Sequence, residues 1–181
     1  MRKKKSIPQS TPLTIIFGVV AIAVVAFIVV SPATFNFTPS GPTTSYKIPY
    51  TVTTVYDENI KLSDYQGKGI VYYFTGASCI PCKAQLPYIV NAYNTYKSTG
   101  KIEVFSFDIQ GTSTASIIAW KNDNGITWKV CQDTGMTMSS YFSIYSMPTL
   151  VICDKNGNEV NRYVGAQSES TINSIFAALA G

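Results

Sequence analysis

Apolar and polar positions divide the chain into four stretches. Residues 1–12 form a tail with a basic cluster, Arg2, Lys3, Lys4 and Lys5. Residues 13–30, LTIIFGVVAIAVVAFIVV, are eighteen positions without a charge. Residues 31–45 are rich in Pro, Ser, Thr and Gly, and from residue 46 onward short apolar blocks alternate with polar ones. An uninterrupted apolar run of this length crosses a bilayer core. Lys and Arg in front of it place the N-terminus in the cytoplasm and everything after it outside. The pattern therefore predicts a transmembrane anchor over 13–30 and a flexible linker over 31–45. A cleaved signal peptide, cut near Ser31–Ala33, is the other reading. The run is longer than the apolar part of a typical signal, which favours the anchor. Both readings export the domain at 46–181.

Within that domain the pattern predicts strands alternating with helices. Residues 50–69 hold two β-rich stretches around Asp57-Glu58-Asn59 and predict a hairpin. IVYYFT, Ile70 to Thr75, is a continuous apolar strand suited to the centre of a sheet. A helix is expected from Cys79 to Lys97, with Pro87 inside it. Strands are expected at 102–109, 127–131, 149–154 and 159–165, the last two closed as a hairpin across KNGN. Helices are expected at 114–125, 135–142 and 168–180, with Ser168 or Ser170 capping the last. Together these predict an α/β fold with a mixed central β-sheet flanked by helices.

Composition changes the picture in two ways. The chain has 181 residues and a formal charge of +4, which the four basic residues of the tail account for. From Tyr46 onward ten Lys/Arg balance ten Asp/Glu, so no basic nucleic-acid footprint exists. There is also no histidine in the chain, which removes the usual general base of hydrolases. The domain, about 135 residues, is the size of one ordinary domain.

The chemistry lies in TGASCIPCKAQLPY, Thr75 to Tyr88. Cys79 and Cys82 are two residues apart at a predicted helix start. There the helix dipole and unpaired N–H groups favour a thiolate at Cys79, and Cys82 lies one turn on. Pro81 fits the first turn, where its missing N–H costs nothing. This predicts Cys79 as an exposed nucleophile and Cys82 as the resolving thiol. A structural zinc site would want four Cys/His ligands, but one pair and no histidine are present. A purely structural staple gains little from so short a loop. Cys131 and Cys153 sit singly in strand patterns. The expected sheet order puts two strands between them, so they are read as unbonded, buried hydrophobes.

YYFTGASCIPCKAQLPY resembles the strand, turn and helix around the active site of thioredoxin-like proteins. YSMPTLVICDKNGNEVNRYVG resembles their cis-proline and closing hairpin. The segment KLSDYQGKGIVYYF and the extra helix–strand unit between Gly111 and Asp133 resemble the membrane-anchored, extracytoplasmic TlpA/ResA-like branch. The resemblance covers about residues 50–180. It implies a thioredoxin-like fold and thiol-disulfide exchange with protein substrates through the Cys79/Cys82 redox disulfide, without metal or cofactor. It also implies a cis-proline at Pro148, with Ile80, Pro81, Met147 and Pro148 forming the substrate surface.

The chain departs from that branch at several places. Tyr73 stands where a buried Asp is common and Gln85 where some members carry Glu, leaving Asp108 as the nearest proton-relay candidate. Asp108 is equally well read as a strand-end turn former. Ile80–Pro81 lacks the histidine of strongly oxidising relatives, which leans toward a reductase or isomerase. The peroxiredoxin branch shares much of this topology but needs a Thr three residues before its reactive cysteine, where Gly76 stands. A non-catalytic binding module, or a Cu(I) carrier using Cys79, Cys82 and Met147, is the alternative to an enzyme. An exported reductase needs re-reduction. The span 13–30 has no cysteine to relay electrons, so a separate membrane electron-transfer partner is expected.

Overall fold

The computed structural model describes residues 47–181; the tail, the anchor and the whole of the linker predicted above lie outside them. Among the described residues no helix is long and apolar enough to cross a membrane.

The most apolar segments form the middle of the sheet. β3 (Gly69–Thr75) and β4 (Ile102–Asp108) are buried at every residue, as strands covered on both faces must be. They pair in parallel from Gly69 opposite Ile102 to Thr75 opposite Asp108. β5 (Lys129–Gln132) continues the parallel set beyond β4. On the other side β6 (Thr149–Cys153) runs antiparallel to β3, and β7 (Glu159–Val164) antiparallel to β6. The order is β5-β4-β3-β6-β7, a mixed sheet. Parallel neighbours need crossovers; α1 (Ile80–Tyr96) and α2 (Thr114–Asp123) supply them. The hairpin strands β1 (Thr51–Thr53) and β2 (Asn59–Lys61) pair separately and join the sheet edge through a bridge between Thr54 and Cys131.

Successive strand residues face opposite sides, so the core splits in two. Val71, Tyr73 and Val104 meet Leu86 and Ile89 of α1, Ile117 of α2, and Ile172 and Phe176 of α4 (Glu169–Ala180). On the opposite face Tyr72, Phe74, Phe105 and Phe107 meet Ile48, Leu62 and Phe142, together with Met138 of α3 (Thr137–Tyr141). The rings there stack, Phe74 on Phe107 at 5.5 Å and Tyr72 on Phe105 at 5.9 Å. Each such pair contributes about 0.5–1.5 kcal/mol beyond its buried area.

Three details differ from the sequence pattern. A 3-10 turn spans Leu62–Tyr65 and buries Leu62, where no element was expected. β5 begins at Lys129 instead of Thr127, because Trp128 turns inward and donates its indole N–H to Ser106 Oγ at 2.8 Å. Cys79 caps α1 and does not lie within it. Cys131 and Cys153 are both unbonded and buried, with β4 and β3 between their strands.

Candidate active site

β3 ends at Thr75 and the chain turns through Gly76, Ala77 and Ser78 into α1. The turn is held from outside. Gln110 Oε1 accepts the Ser78 N–H at 3.1 Å. A Cβ on Gly76 would strike Gln110 Oε1 and come within 2.8 Å of Gln110 Cβ. Cys79 follows with extended backbone as N-cap, and its Sγ accepts the Cys82 N–H at 3.2 Å. This contact gives the sulfur an aimed donor at the positive end of a helix of seventeen residues, the arrangement that stabilises a thiolate.

The two cysteines form a disulfide, with Cα atoms 5.2 Å apart. Cys79 is 8% exposed and Cys82 1%, while Ile80 between them is 80% exposed. The expectation of an openly exposed Cys79 is therefore corrected. In the disulfide state the pair belongs to the core cluster, with Ala77 and Met147 packed against it. Cys79 remains the shallower of the two residues.

The Met147–Pro148 peptide is cis. The Pro148 carbonyl accepts the Gly165 N–H at 2.8 Å and the Thr149 hydroxyl donates to the Ser146 carbonyl at 2.8 Å, which fixes this loop above β6. Met147 is half-buried and Pro148 buried.

Below the disulfide lies a polar patch. The Tyr73 hydroxyl donates to the Cys82 carbonyl at 3.0 Å. Burial pushes the Tyr73 phenol up to about 12; the nearby Thr75 and Gln85 side chains offset part of that rise. Gln85, 1% exposed, accepts the Gln167 N–H at 2.8 Å, tying α1 to the loop before α4. Asp108 is one strand away, in register with Thr75, and its two carboxylate oxygens accept from the Thr112 N–H and the Thr112 hydroxyl, both at 2.9 Å. It fixes the loop after β4, the turn-forming role that the sequence offered beside the relay. Gln110, Gln167 and the part of Thr75 in the patch carried no local signal, because their partners lie far away in sequence.

The sequence matches the AhpC/TSA family over residues 45–160, more than half of the chain. The chain belongs to the AhpC/TSA family. Among curated relatives, a thiol-disulfide oxidoreductase ResA of Bacillus cereus is 30% identical over 126 residues, covering 68% of this chain and 70% of the relative. The ResA of Bacillus thuringiensis strain Al Hakam is 29% identical over 123 residues, covering 68% and 70%. The crystal structure of StoA from Bacillus subtilis shares the fold at a TM-score of 0.60, with 16% identity over 70% of this chain and 94% of its own. This member of the AhpC/TSA family is thus a thioredoxin-like enzyme, a thiol-disulfide oxidoreductase of the ResA type. Within the family it lacks the room for a peroxiredoxin threonine at Gly76, because Gln110 fills that space.

Proposed function

We propose that the enzyme works outside the cytoplasmic membrane, tethered by residues 13–30 with its N-terminus in the cytoplasm. It reduces or isomerises disulfides of protein substrates and is not a strong oxidant. The observation that carries this reading is the Cys79 sulfur at the start of α1, which accepts the Cys82 N–H with exposed Ile80 beside it. The helix start supports a thiolate nucleophile. The absence of any imidazole leaves it without the extra stabilisation that makes a dithiol strongly oxidising. Substrate backbone lies against Met147 at the cis-proline, with side chains on Ile80 and Pro81, while buried Pro148 holds Met147 in place.

A reductase outside the membrane must be re-reduced, since thiols there drift to disulfides. The span 13–30 has no cysteine, so a separate multi-span membrane protein hands electrons to Cys79–Cys82. The test is a trap. Cys82→Ser removes the resolving thiol and leaves Cys79 in mixed disulfides with its partners. Expressed in the native host and resolved on non-reducing gels, the variant is expected in the membrane fraction, bound to such a protein as well as to substrates. Recovery of soluble substrates only, with the wild-type pair oxidised in cells, would instead assign an oxidant.

A further inference from the structure

The patch beneath Cys82 is buried and polar, yet its groups are only partly satisfied. Tyr73, Thr75 and Gln85 are each 0–1% exposed. Thr75 and Gln85 lie close enough to the Tyr73 phenol to draw its pKa back toward normal. Neither Thr75 Oγ1 nor Gln85 Nε2 completes a hydrogen bond of its own. A buried group without a partner is costly, and native folds keep few of them. Here two flank one phenol, and that phenol is bonded to the residue whose thiol must lose and regain a proton.

The titratable neighbours do not supply a carboxylate. On α1 they are Cys79 and Cys82, with Lys83 exposed and Tyr88 and Tyr93 farther along the helix. On β4, Asp108 is engaged by Thr112, and Glu103 accepts from Tyr93 near the opposite end of the strand. β6 carries Cys153 in the opposite core and β7 carries Tyr163. α4 has Glu169, which is exposed.

We propose that Tyr73, Thr75 and Gln85 form an uncharged cluster that positions Cys82 for the resolving step. It rests only on disulfide exchange at Cys79–Cys82 and holds for either direction of electron flow. In the resolving step the Cys82 thiol loses its proton to solvent and its sulfur attacks Cys79 Sγ. The Cys79–substrate bond breaks, the Cys79–Cys82 bond forms, and the electron pair leaves on the substrate sulfur, which is protonated from solvent. In the reverse step Cys82 departs as a thiolate and is protonated from solvent. The Tyr73 hydroxyl can hold Cys82 in place because it donates to the Cys82 carbonyl and keeps its lone pairs for the neighbouring side chains. The Gln85 amide, fixed by Gln167, orients the phenol. Tyr73 and Gln85 are positioning residues: the contact to Cys82 runs through its carbonyl.

The test uses the full chain in detergent, reduced and mixed with Ellman's reagent in a stopped-flow instrument. Attack by Cys79 releases one chromophore; attack by Cys82 on the resulting mixed disulfide releases the second. Tyr73→Phe is expected to slow the second phase about tenfold, the worth of one hydrogen bond, with the first phase unchanged within about twofold. Gln85→Glu keeps an acceptor for the Gln167 N–H but adds a charge. It is expected to give the second phase an extra titration below about pH 7, which the wild type lacks. A second phase unchanged in Tyr73→Phe, both phases slowed alike, or a Gln85→Glu profile superimposable on the wild type overturns the proposal. If Tyr73→Phe fails to fold, the Gln85→Glu profile decides alone.

Discussion

Cys79 differs from the other thiols by where its sulfur ends up. It meets an N–H at a helix start, whereas burial pushes the Cys131 thiol up to about 12 and that of Cys153 higher still. After reduction, brief iodoacetamide treatment is expected to label Cys79 first. Cys131 and Cys153 are expected to stay unlabelled under the same conditions, because burial disfavours their thiolates. Mass spectrometry checks this, and equal labelling of Cys131 would remove the contrast. The cysteine spacing and the adjacent proline were legible in the sequence because their chemistry is local: three positions set the turn. Tyr73 and Gln85 were legible only as departures from the pattern of similar proteins. What they do depends on packing, since Gln85 meets Gln167 across 82 positions and Ser78 meets Gln110 across 32. No periodicity records such meetings.

At the scale of elements, the alternation of apolar blocks placed every strand of the five-stranded sheet and the four α-helices among the described residues, with ends shifted by one or two residues. It missed the turn at Leu62–Tyr65, which is held by a single buried leucine and has no repeat to detect. It also gave no hint of how closely α4 approaches β3. A Cβ on Gly69 would lie 2.7 Å from Leu179 Cδ2 and 3.1 Å from Leu179 Cβ. Gly69→Ala is therefore expected to destabilise the domain by about 1–3 kcal/mol through overpacking, read as a lower urea midpoint. Pairing it with Leu179→Ala opens the space and is expected to recover part of the loss. No recovery would mean that the cost arises in the strand itself.

Over the whole molecule, stability comes from its two apolar cores. Among the described residues there are two ion pairs, Lys68–Glu103 at 3.8 Å and Arg162–Glu159 at 2.7 Å, the second between partly exposed side chains. Exposed pairs contribute about 0–1 kcal/mol. Raising sodium chloride from low to half-molar concentration is thus expected to shift the melting temperature by less than about 3 °C; a fall of several times that would mean electrostatics matters more than the contacts indicate. The bond between Gln85 and Gln167 also has a consequence for the timing of folding. Synthesis runs from the N-terminus, so both cysteines leave the ribosome long before the segment that closes over the base of their helix. Until Gln167 and the α4 residues Ile172 and Phe176 arrive, α1 lacks its brace and Cys82 its cover. For that interval the packing that buries Cys82 more deeply than Cys79 is incomplete. The difference in depth between the two cysteines is one of the last things the chain acquires.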